Sequence, residues 1–234
     1  MPIPAQFLPD PLPAEPLALA AEWLDTARQR RDQPNPNAMV LASVGEGGRP
    51  SARVVLCKEI VPEPGYVCFF TNYESRKGRE VEAHPRVAIV MHWDHLYRQL
   101  RIEGHLVRAP ASESDAYFRT RPWQRRVGAW ASAQSEPVAS RAELEAAVVA
   151  TAQRFGVPVP GPEDAPAPPG LGDSIPRPPH WGGYHVYADA VELWVEGESR
   201  IHDRARWTRK LVSGSDASQP PQIGSAWSVT RLQP

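Results

Sequence analysis

Apolar residues recur along this chain with two different periods. Between Glu15 and Arg31, residues such as Leu17 and Leu24 return at helical spacing with polar residues between them, which predicts an amphipathic helix. In the stretch 98–108, apolar and polar residues alternate instead, as in a half-buried strand. Along the whole chain, the helical period predicts helices at 15–31, 75–84, 112–122, 128–132 and 140–156. The alternating period predicts strands at 38–44, 49–60, 66–71, 86–93, 98–108, 183–196, 200–211 and 225–233.

The predicted strands follow one another through short turns, and the helices stand between groups of strands. This order favours an α+β fold built on an antiparallel β-barrel over a doubly wound parallel sheet, in which strands and helices alternate. Because three strands rarely form an independent core, we expect the last three to complete the first sheet. The expected organisation is a flexible proline-rich arm at 1–14 and a single domain at 15–234, which contains a proline-rich linker at 157–180 and a mobile loop at 212–224.

Composition narrows the class of protein. The formal net charge is −1, so nothing global indicates a nucleic acid or a membrane surface as a partner. No segment is apolar over the ~18 residues of a membrane helix, and the N-terminus lacks the pattern of a secretory signal. The two cysteines, Cys57 and Cys68, lie in apolar runs and are expected to be buried, reduced thiols. We therefore expect a cytoplasmic protein.

The motifs of several catalytic classes are missing from the sequence. Seven histidines raise the question of a metal site, but HExxH, HxxxH and paired CxxC motifs do not occur, so no metal site is expected. The sequence also lacks the GxSxG nucleophile motif, the dinucleotide motif GxGxxG and the P-loop motif.

Cationic residues gather beside the predicted helices and strands. Arg76 and Lys77 open the short helix that Ser75 is expected to cap, where backbone N–H groups and the helix dipole favour an anion. The other groups are Arg53 with Lys58, Tyr117 with Arg121, and Arg200 and His202 with Arg204, which alternation places on one face of a strand. Each group alone is compatible with a solvated surface. Together they predict binding of two phosphate-sized anions.

Eight segments of the sequence occur in an order that resembles one known family. They are RVVLCK, FFTNYESRKGRE, RQLRIEG, YFRTRP, GAWASAQS, RPPHWGGYHV, ELWVEGESRIHDR and a terminal W-x-x-x-RLQP. In this order they resemble the pyridoxamine 5′-phosphate oxidase family, over nearly the whole chain from about Leu17 to Pro234. The resemblance implies a split β-barrel with flanking helices and a homodimer with FMN at the subunit interface.

The resemblance also implies which residues bind the cofactor and the substrate. The residues matching flavin-contacting positions are Arg53, Lys58, Phe70, Thr71, Arg76, Lys77, Gln99, Gln134, Ser135, Trp194 and Arg204. Those matching substrate positions are Lys58, Tyr117 and Arg121 for the 5′-phosphate, and Arg200 and His202, the expected catalytic residues, for the ring. The implied reaction oxidises pyridoxamine or pyridoxine 5′-phosphate to pyridoxal 5′-phosphate, and O₂ becomes H₂O₂.

Two departures from the family pattern bear on the substrate. Arg125 stands where family members usually place a phosphate-binding serine, so it either binds the phosphate or swings away from it. The arm also lacks the Arg-Arg-Glu-Tyr stretch that closes over the substrate in many members. Two alternatives therefore stay open: an FMN oxidase of the same fold for another substrate, such as a phenazine precursor, and a non-catalytic protein that binds flavin or pyridoxal phosphate.

Overall fold

The computed structural model describes residues 7–161, 174–212 and 219–234, and these form five helices and eleven strands besides short 3₁₀ turns. The helices are α1 (Pro16–Arg30), α2 (Arg76–Ala83), α3 (Ala111–Thr120), α4 (Trp123–Ala131) and α5 (Arg141–Arg154). The strands are β1 (Ala38–Val44), β2 (Pro50–Leu56), β3 (Glu59–Val61), β4 (Tyr66–Asn72), β5 (Arg86–Trp93), β6 (Arg98–Arg108), β7 (Trp181–Val195), β8 (Asp203–Thr208), β9 (Leu211–Val212), β10 (Gln222–Ile223) and β11 (Ser228–Leu232).

Nine of these strands form one sheet. Seven follow the order β11-β8-β7-β6-β5-β1-β2, and β4 joins β3 to the same sheet by pairing with β7. Each pair along the seven-strand path is antiparallel. The strands after the linker therefore extend the first sheet, as the sequence predicts. The remaining two strands, β9 and β10, form a separate short ladder.

The chain divides into two compact units. The first comprises Met1–Phe69, Glu80–Arg108 and Tyr184–Pro234, and the second comprises Phe70–Arg79 and Ala109–Gly183. This division does not test the expectation of one domain at 15–234, which stays a prediction.

The core of the first unit lies on one face of the sheet. A single row of cross-strand neighbours, each no more than 1 % exposed, runs across five strands through Leu41, Ile89, Ile102, Val191 and Trp207. Full burial of a large apolar side chain stabilises a fold by about 1.5–3 kcal/mol, so such rows fix the register.

The opposite face of this sheet, which we call the outer face, changes from apolar to charged along its width. One row of neighbours on it consists of Val54, Val40, Val90, Arg101, Glu192 and Arg206, in the order β2-β1-β5-β6-β7-β8. Val54 is 64 % and Val40 39 % exposed, whereas Glu192 is only 5 % exposed.

The second unit is mainly helical. Trp123 and Val127 of α4 are buried with Ile175, and Trp130, Val148, Phe155 and Val157 pack around them. The helix predicted at 128–132 is longer than expected, because α4 begins at Trp123, directly after Pro122. Pro122 does not oppose this start, since proline is compatible with the N-terminal end of a helix.

The strand predicted at 200–211 is wrong at its start. Val195 pairs with Asp203, so residues 196–202 form the turn that reverses the chain between β7 and β8. Ser199 and Arg200 have positive φ angles of 54° and 65° within this turn. Alternation does not hold through a chain reversal, so Arg200 and His202 do not share a strand face with Arg204.

Other expectations differ in detail from the structure. The strand predicted at 49–60 is interrupted and becomes β2 and β3. The ends of the loop predicted at 212–224 take part in the β9–β10 ladder, while residues 213–218 lie outside the described part of the chain. Residues 162–173 of the predicted linker and residues 1–6 of the predicted arm also lie outside the described part of the chain.

The described part of the arm is bonded to the sheet of the first unit. The backbone N–H of Leu8 donates to Asp203 Oδ2 at 2.8 Å, and the Trp207 indole donates to the Pro13 carbonyl at 2.8 Å. Leu8 itself is 4 % exposed. Among the described residues, no helix combines the length and the apolar character that crossing a membrane requires.

Candidate functional site

Three of the residues expected to contact the flavin form a row on the outer face of the first unit. Gln99 on β6 is the cross-strand neighbour of Trp194 on β7, and Trp194 is the neighbour of Arg204 on β8. Antiparallel neighbours project from the same face with their Cβ atoms about 5 Å apart, so amide, indole and guanidinium lie side by side.

A buried carboxylate holds the arginine of this row in place. Glu192 Oε1 accepts hydrogen bonds from Arg204 Nε at 3.1 Å and Nη2 at 2.8 Å, and Glu192 Oε2 accepts one from Arg101 Nη1 at 3.1 Å. The third nitrogen of Arg204, Nη1, donates to the Gln233 carbonyl at 3.0 Å. All three nitrogens of the guanidinium are therefore engaged, which fixes its plane.

Glu192 was missed by the sequence reasoning. The available signal was its place in the strand VELWV, two residues before Trp194, where alternation puts a lone carboxylate on the same face.

The turn after β7 carries the two residues expected at the substrate ring. The His202 ring packs against the Trp194 ring with centroids 4.6 Å apart, and its Nδ1 accepts a hydrogen bond from the Gly197 N–H at 3.2 Å. A Cβ atom on Gly197 would lie 1.7 Å from the Ile201 carbonyl oxygen, so only glycine fits this turn. The structure thus joins His202 to the flavin row, whereas Arg200 is exposed in the turn.

Arg53 belongs to a different network of the same unit. Its Nη2 donates to Glu80 Oε2 at 2.7 Å and to Ser51 Oγ at 2.5 Å, and its Nη1 donates to Ser43 Oγ at 2.5 Å. Glu80 is 8 % exposed, so the guanidinium compensates a buried negative charge. Sequence reasoning identified Arg53 but missed Glu80, which lies far from it in sequence and is brought near by the fold.

Lys58 lies between β2 and β3, half-buried. Its backbone N–H donates to the Cys68 carbonyl at 2.8 Å, and its carbonyl accepts from Arg28 Nη2 at 2.9 Å. These bonds fix its main chain at the end of the strand RVVLCK.

In the second unit, the start of α2 brings three expected flavin ligands together. Lys77 Nζ donates to Gln134 Oε1 at 2.7 Å and to Thr71 Oγ1 at 3.0 Å. It also donates to Ser75 Oγ at 3.0 Å, and Ser75 Oγ accepts from the Gly78 N–H at 3.3 Å as the expected cap does. An ammonium group beside a helix start is a suitable place for an anion.

Two further expected ligands lie at the rim of this group. Arg76 is exposed on the first turn of α2, and Ser135 is exposed beside Gln134 with a positive φ of 76°.

Tyr117 and Arg121, the expected phosphate ligands, belong to an aromatic stack of the second unit. Phe70 stacks on Tyr117 with centroids 4.1 Å apart and on Trp181 at 5.5 Å. The Arg121 guanidinium lies 4.6 Å from the centroid of Trp181. The stack places a phenol and a guanidinium on one rigid platform, as their helical spacing predicts.

A cavity of about 280 Å³ in the second unit has a cationic lining. Arg121, Arg125 and Trp181 line it with the polar side chains of Asn72, Ser132 and Gln134, and none of its lining residues is acidic. Guanidinium groups suit carboxylates and phosphates, so this cavity is a candidate anion site. Arg125 therefore lies at this cavity rather than away from it.

Residues 26–155 match the family model for pyridoxamine 5′-phosphate oxidase, and residues 181–234 match the model for the C-terminal dimerisation region of pyridoxine 5′-phosphate oxidase. The chain belongs to the pyridoxamine 5′-phosphate oxidase family. It is accordingly an oxidoreductase of that family, and the family prediction is confirmed.

Relatives within the pyridoxamine 5′-phosphate oxidase family match almost end to end. A pyridoxine/pyridoxamine 5′-phosphate oxidase of Burkholderia lata is 46 % identical over 220 residues, which cover 94 % of this chain and 89 % of that protein. The enzyme of the same name from Paracoccus denitrificans is 43 % identical over 229 residues, covering 94 % and 95 %.

Solved structures support the fold. The crystal structure of PhzG from Burkholderia lata, in complex with tetrahydrophenazine-1-carboxylic acid, matches with a TM-score of 0.77 and 29 % identity over 96 % of this chain and 95 % of that one. A pyridoxamine 5′-phosphate oxidase-related, FMN-binding protein of Nostoc punctiforme matches with a TM-score of 0.62 and 17 % identity over 93 % and 96 %. The predicted α+β split barrel is confirmed.

Membership of the family also confirms FMN as the cofactor. The residues present fit that group in chemistry. The Lys77 ammonium at the start of α2 suits a phosphate, and the planar indole of Trp194 between amide and guanidinium suits a flat polar ring. The expected roles of the individual residues stay predictions.

Proposed function

We propose that this protein is an FMN-dependent pyridoxal 5′-phosphate synthase. It oxidises pyridoxamine or pyridoxine 5′-phosphate to pyridoxal 5′-phosphate and reduces O₂ to H₂O₂. The observation that carries the proposal is the cationic cavity at Arg121 and Arg125, beside the Tyr117 stack, because a phosphate monoester dianion requires concentrated positive charge. The similarity to a pyridoxine/pyridoxamine 5′-phosphate oxidase over 94 % of the chain supports the proposal.

The chain's own residues position the substrate. In this proposal, Tyr117 and Arg121 donate hydrogen bonds to the phosphate oxygens, and Lys58 contributes a positive charge. His202, held by Gly197 and Trp194, and Arg200 contact the pyridine ring and orient its C4′ carbon. When bound, FMN supplies the acceptor for the two electrons and the hydrogen that leave C4′. With the amine, water then replaces nitrogen, so the products are the aldehyde, ammonia and H₂O₂.

Orientation is the main contribution of these residues to rate. A ring held in a reactive geometry avoids an entropic barrier that is worth about 7–11 kcal/mol in favourable cases. The aromatic stack and the turn at Gly197 restrict the side chains that hold the ring and phosphate.

The test is a direct assay with matched variants. Purified protein loaded with FMN should consume O₂ when either phosphorylated vitamer is added, and the absorbance of the aldehyde should rise. Arg121→Lys and Arg125→Lys keep a positive charge but remove the guanidinium fork, so both should raise KM for the phosphorylated substrate. Absence of turnover with both vitamers would refute the proposed function.

A second candidate is an FMN oxidase of the same fold for a reduced phenazine-type carboxylic acid. The structural match to PhzG in complex with such an acid favours it, as does Arg125 where a serine is usual. Two guanidinium groups suit a carboxylate as well as a phosphate. Turnover of a dihydrophenazine carboxylic acid but of neither vitamer would select this candidate.

We also propose a homodimer, with FMN at its interface, in the cytoplasm. The match of residues 181–234 to a dimerisation region supports the assembly. The outer face offers a suitable surface, since the apolar side chains of Val40 and Val54 are exposed on it. The two buried free cysteines are compatible with a reducing compartment. Sedimentation of the FMN-loaded protein should give twice the mass of the chain.

A further inference from the structure

A second cavity, of about 390 Å³, opens in the first unit where the arm meets the turn between β7 and β8. Phe7, Leu8 and Asp10 line it from the arm, and Ile201, His202 and Asp203 from the turn and the start of β8. Its volume is that of a small-molecule site. It includes His202 but none of the residues of the cationic cavity described above.

The wall contributed by the arm is built into the fold. Asp203 accepts the Leu8 N–H on Oδ2 at 2.8 Å and Arg231 Nη1 on Oδ1 at 2.5 Å. Arg231 Nη2 in turn donates to the Pro9 carbonyl at 3.2 Å. These three bonds tie the arm to β8 and β11, so Phe7 and Asp10 have a defined place beside His202.

Two large apolar side chains at this cavity are exposed to an unusual degree. Phe7 is 67 % and Ile201 70 % exposed. Each would bury apolar area against a flat ring held near His202, which is a favourable contact.

The charges at the cavity are not balanced. Both oxygens of Asp203 are engaged, one of them by the cation of Arg231. Among the described residues, Asp10 makes neither a hydrogen bond nor an ion pair, and it is exposed. The cavity therefore carries one carboxylate whose charge is left for a ligand, and a cationic group is the complement of that charge.

We propose that residues 7–10 of the arm determine specificity, with Asp10 selecting a substrate that carries an ammonium group over its hydroxyl analogue. This inference rests on the proposed function, and it assigns a preference for pyridoxamine 5′-phosphate over pyridoxine 5′-phosphate. At this cavity the arm supplies a carboxylate and a phenyl ring beside His202.

The experiment compares KM and kcat for the two vitamers in the FMN-loaded wild type and in Asp10→Asn. The substitution should raise the ratio of KM for the amine to KM for the alcohol about fivefold, the factor that corresponds to the ~1 kcal/mol of an exposed ion pair. Glu22→Gln, which removes an equal charge from an exposed site on α1, is the control and should change neither KM. Asp10→Lys should move the preference further toward the alcohol.

A change of ionic strength tests the contact between Asp10 and the ammonium group independently. The preference of the wild type for the amine should shrink between 0.1 M and 1 M salt, because the screening length falls from about 10 Å to about 3 Å. A wild type that oxidises both vitamers while Asp10→Asn keeps their KM ratio would overturn the inference alone. A wild type that oxidises neither would overturn the proposed function and the inference with it.

Discussion

Replacing Glu192 by glutamine tests whether this buried carboxylate organises the flavin row. The change keeps the shape of the side chain but removes the charge that Arg204 and Arg101 share. Glutamine retains only one carbonyl oxygen as an acceptor, so at least one arginine loses a charge-assisted hydrogen bond, each of which is worth about 1.5–3 kcal/mol. Arg101 is 42 % exposed, so hydrogen bonds to water replace part of the lost energy. Arg204 is 24 % exposed, so water replaces less of it.

We therefore expect Glu192→Gln to lower the free energy of unfolding by about 2 kcal/mol. In a chain of this size that corresponds to a fall in Tm of roughly 4–8 °C. Because Arg204 loses its fixed plane, the variant should also bind FMN more weakly. Urea unfolding at a fixed excess of FMN measures stability, and quenching of flavin fluorescence measures the Kd of FMN.

The matched control is Glu103→Gln on β6. Glu103 lies on the same face and pairs with Arg206 at 3.0 Å, but both side chains are more than a third exposed. An exposed pair contributes about 0.2–1 kcal/mol, so this variant should unfold almost as the wild type does. Equal stability losses in the two variants, or an unchanged Kd for FMN in Glu192→Gln, would refute the role assigned to the buried carboxylate.

Further substitutions and treatments test other parts of the structure. Arg200→Ala should cut turnover and leave FMN content nearly intact, whereas Arg204→Ala should weaken FMN retention; equal flavin loss in both would contradict this division. Burial raises the pKa of the Cys57 thiol to about 12. Treatment of the native protein with iodoacetamide at pH 8.5 should therefore leave Cys57 unmodified, as measured by peptide mapping. Because the unfolded thiol has a pKa near 9, the stability that this group contributes is complete below pH 9 and is lost as pH rises toward 12. Gly104→Ala would put a Cβ atom 2.2 Å from the Tyr187 carbonyl at the β6–β7 bulge, so urea unfolding should show a loss of at least ~2 kcal/mol.

Much of the sheet could be predicted from the sequence because one of its faces is buried. Residues 86–93 and 98–108 alternate cleanly, and the structure has strands with these bounds. The alternation failed at Arg200 because it contains no information about where a chain reverses. The signal for that reversal was Gly197, because the tight turn requires a glycine at this position. An alternating pattern of apolar and polar residues does not distinguish this glycine from any other residue.

Local spacing identified the cationic residues but not the partners that fix them. The pairing of Arg53 with Glu80 and of Arg204 with Gln233 depends on the three-dimensional fold, since these residues are 27 and 29 positions apart. Tyr117 and Arg121 were easier to predict, because one helical turn separates them and needs no tertiary information.

The bonds between the arm and the last strand have a consequence for biosynthesis. Pro9 and Arg231, 222 positions apart, are bonded to each other, and β11 covers the edge of β8. The arm also contacts β8, where Leu8 is bonded to Asp203 and Pro13 to Trp207. The edge of β8 stays open until β11 has been made. A chain that ends before Ser228 would carry that unpaired edge permanently, and such an edge promotes association with other chains.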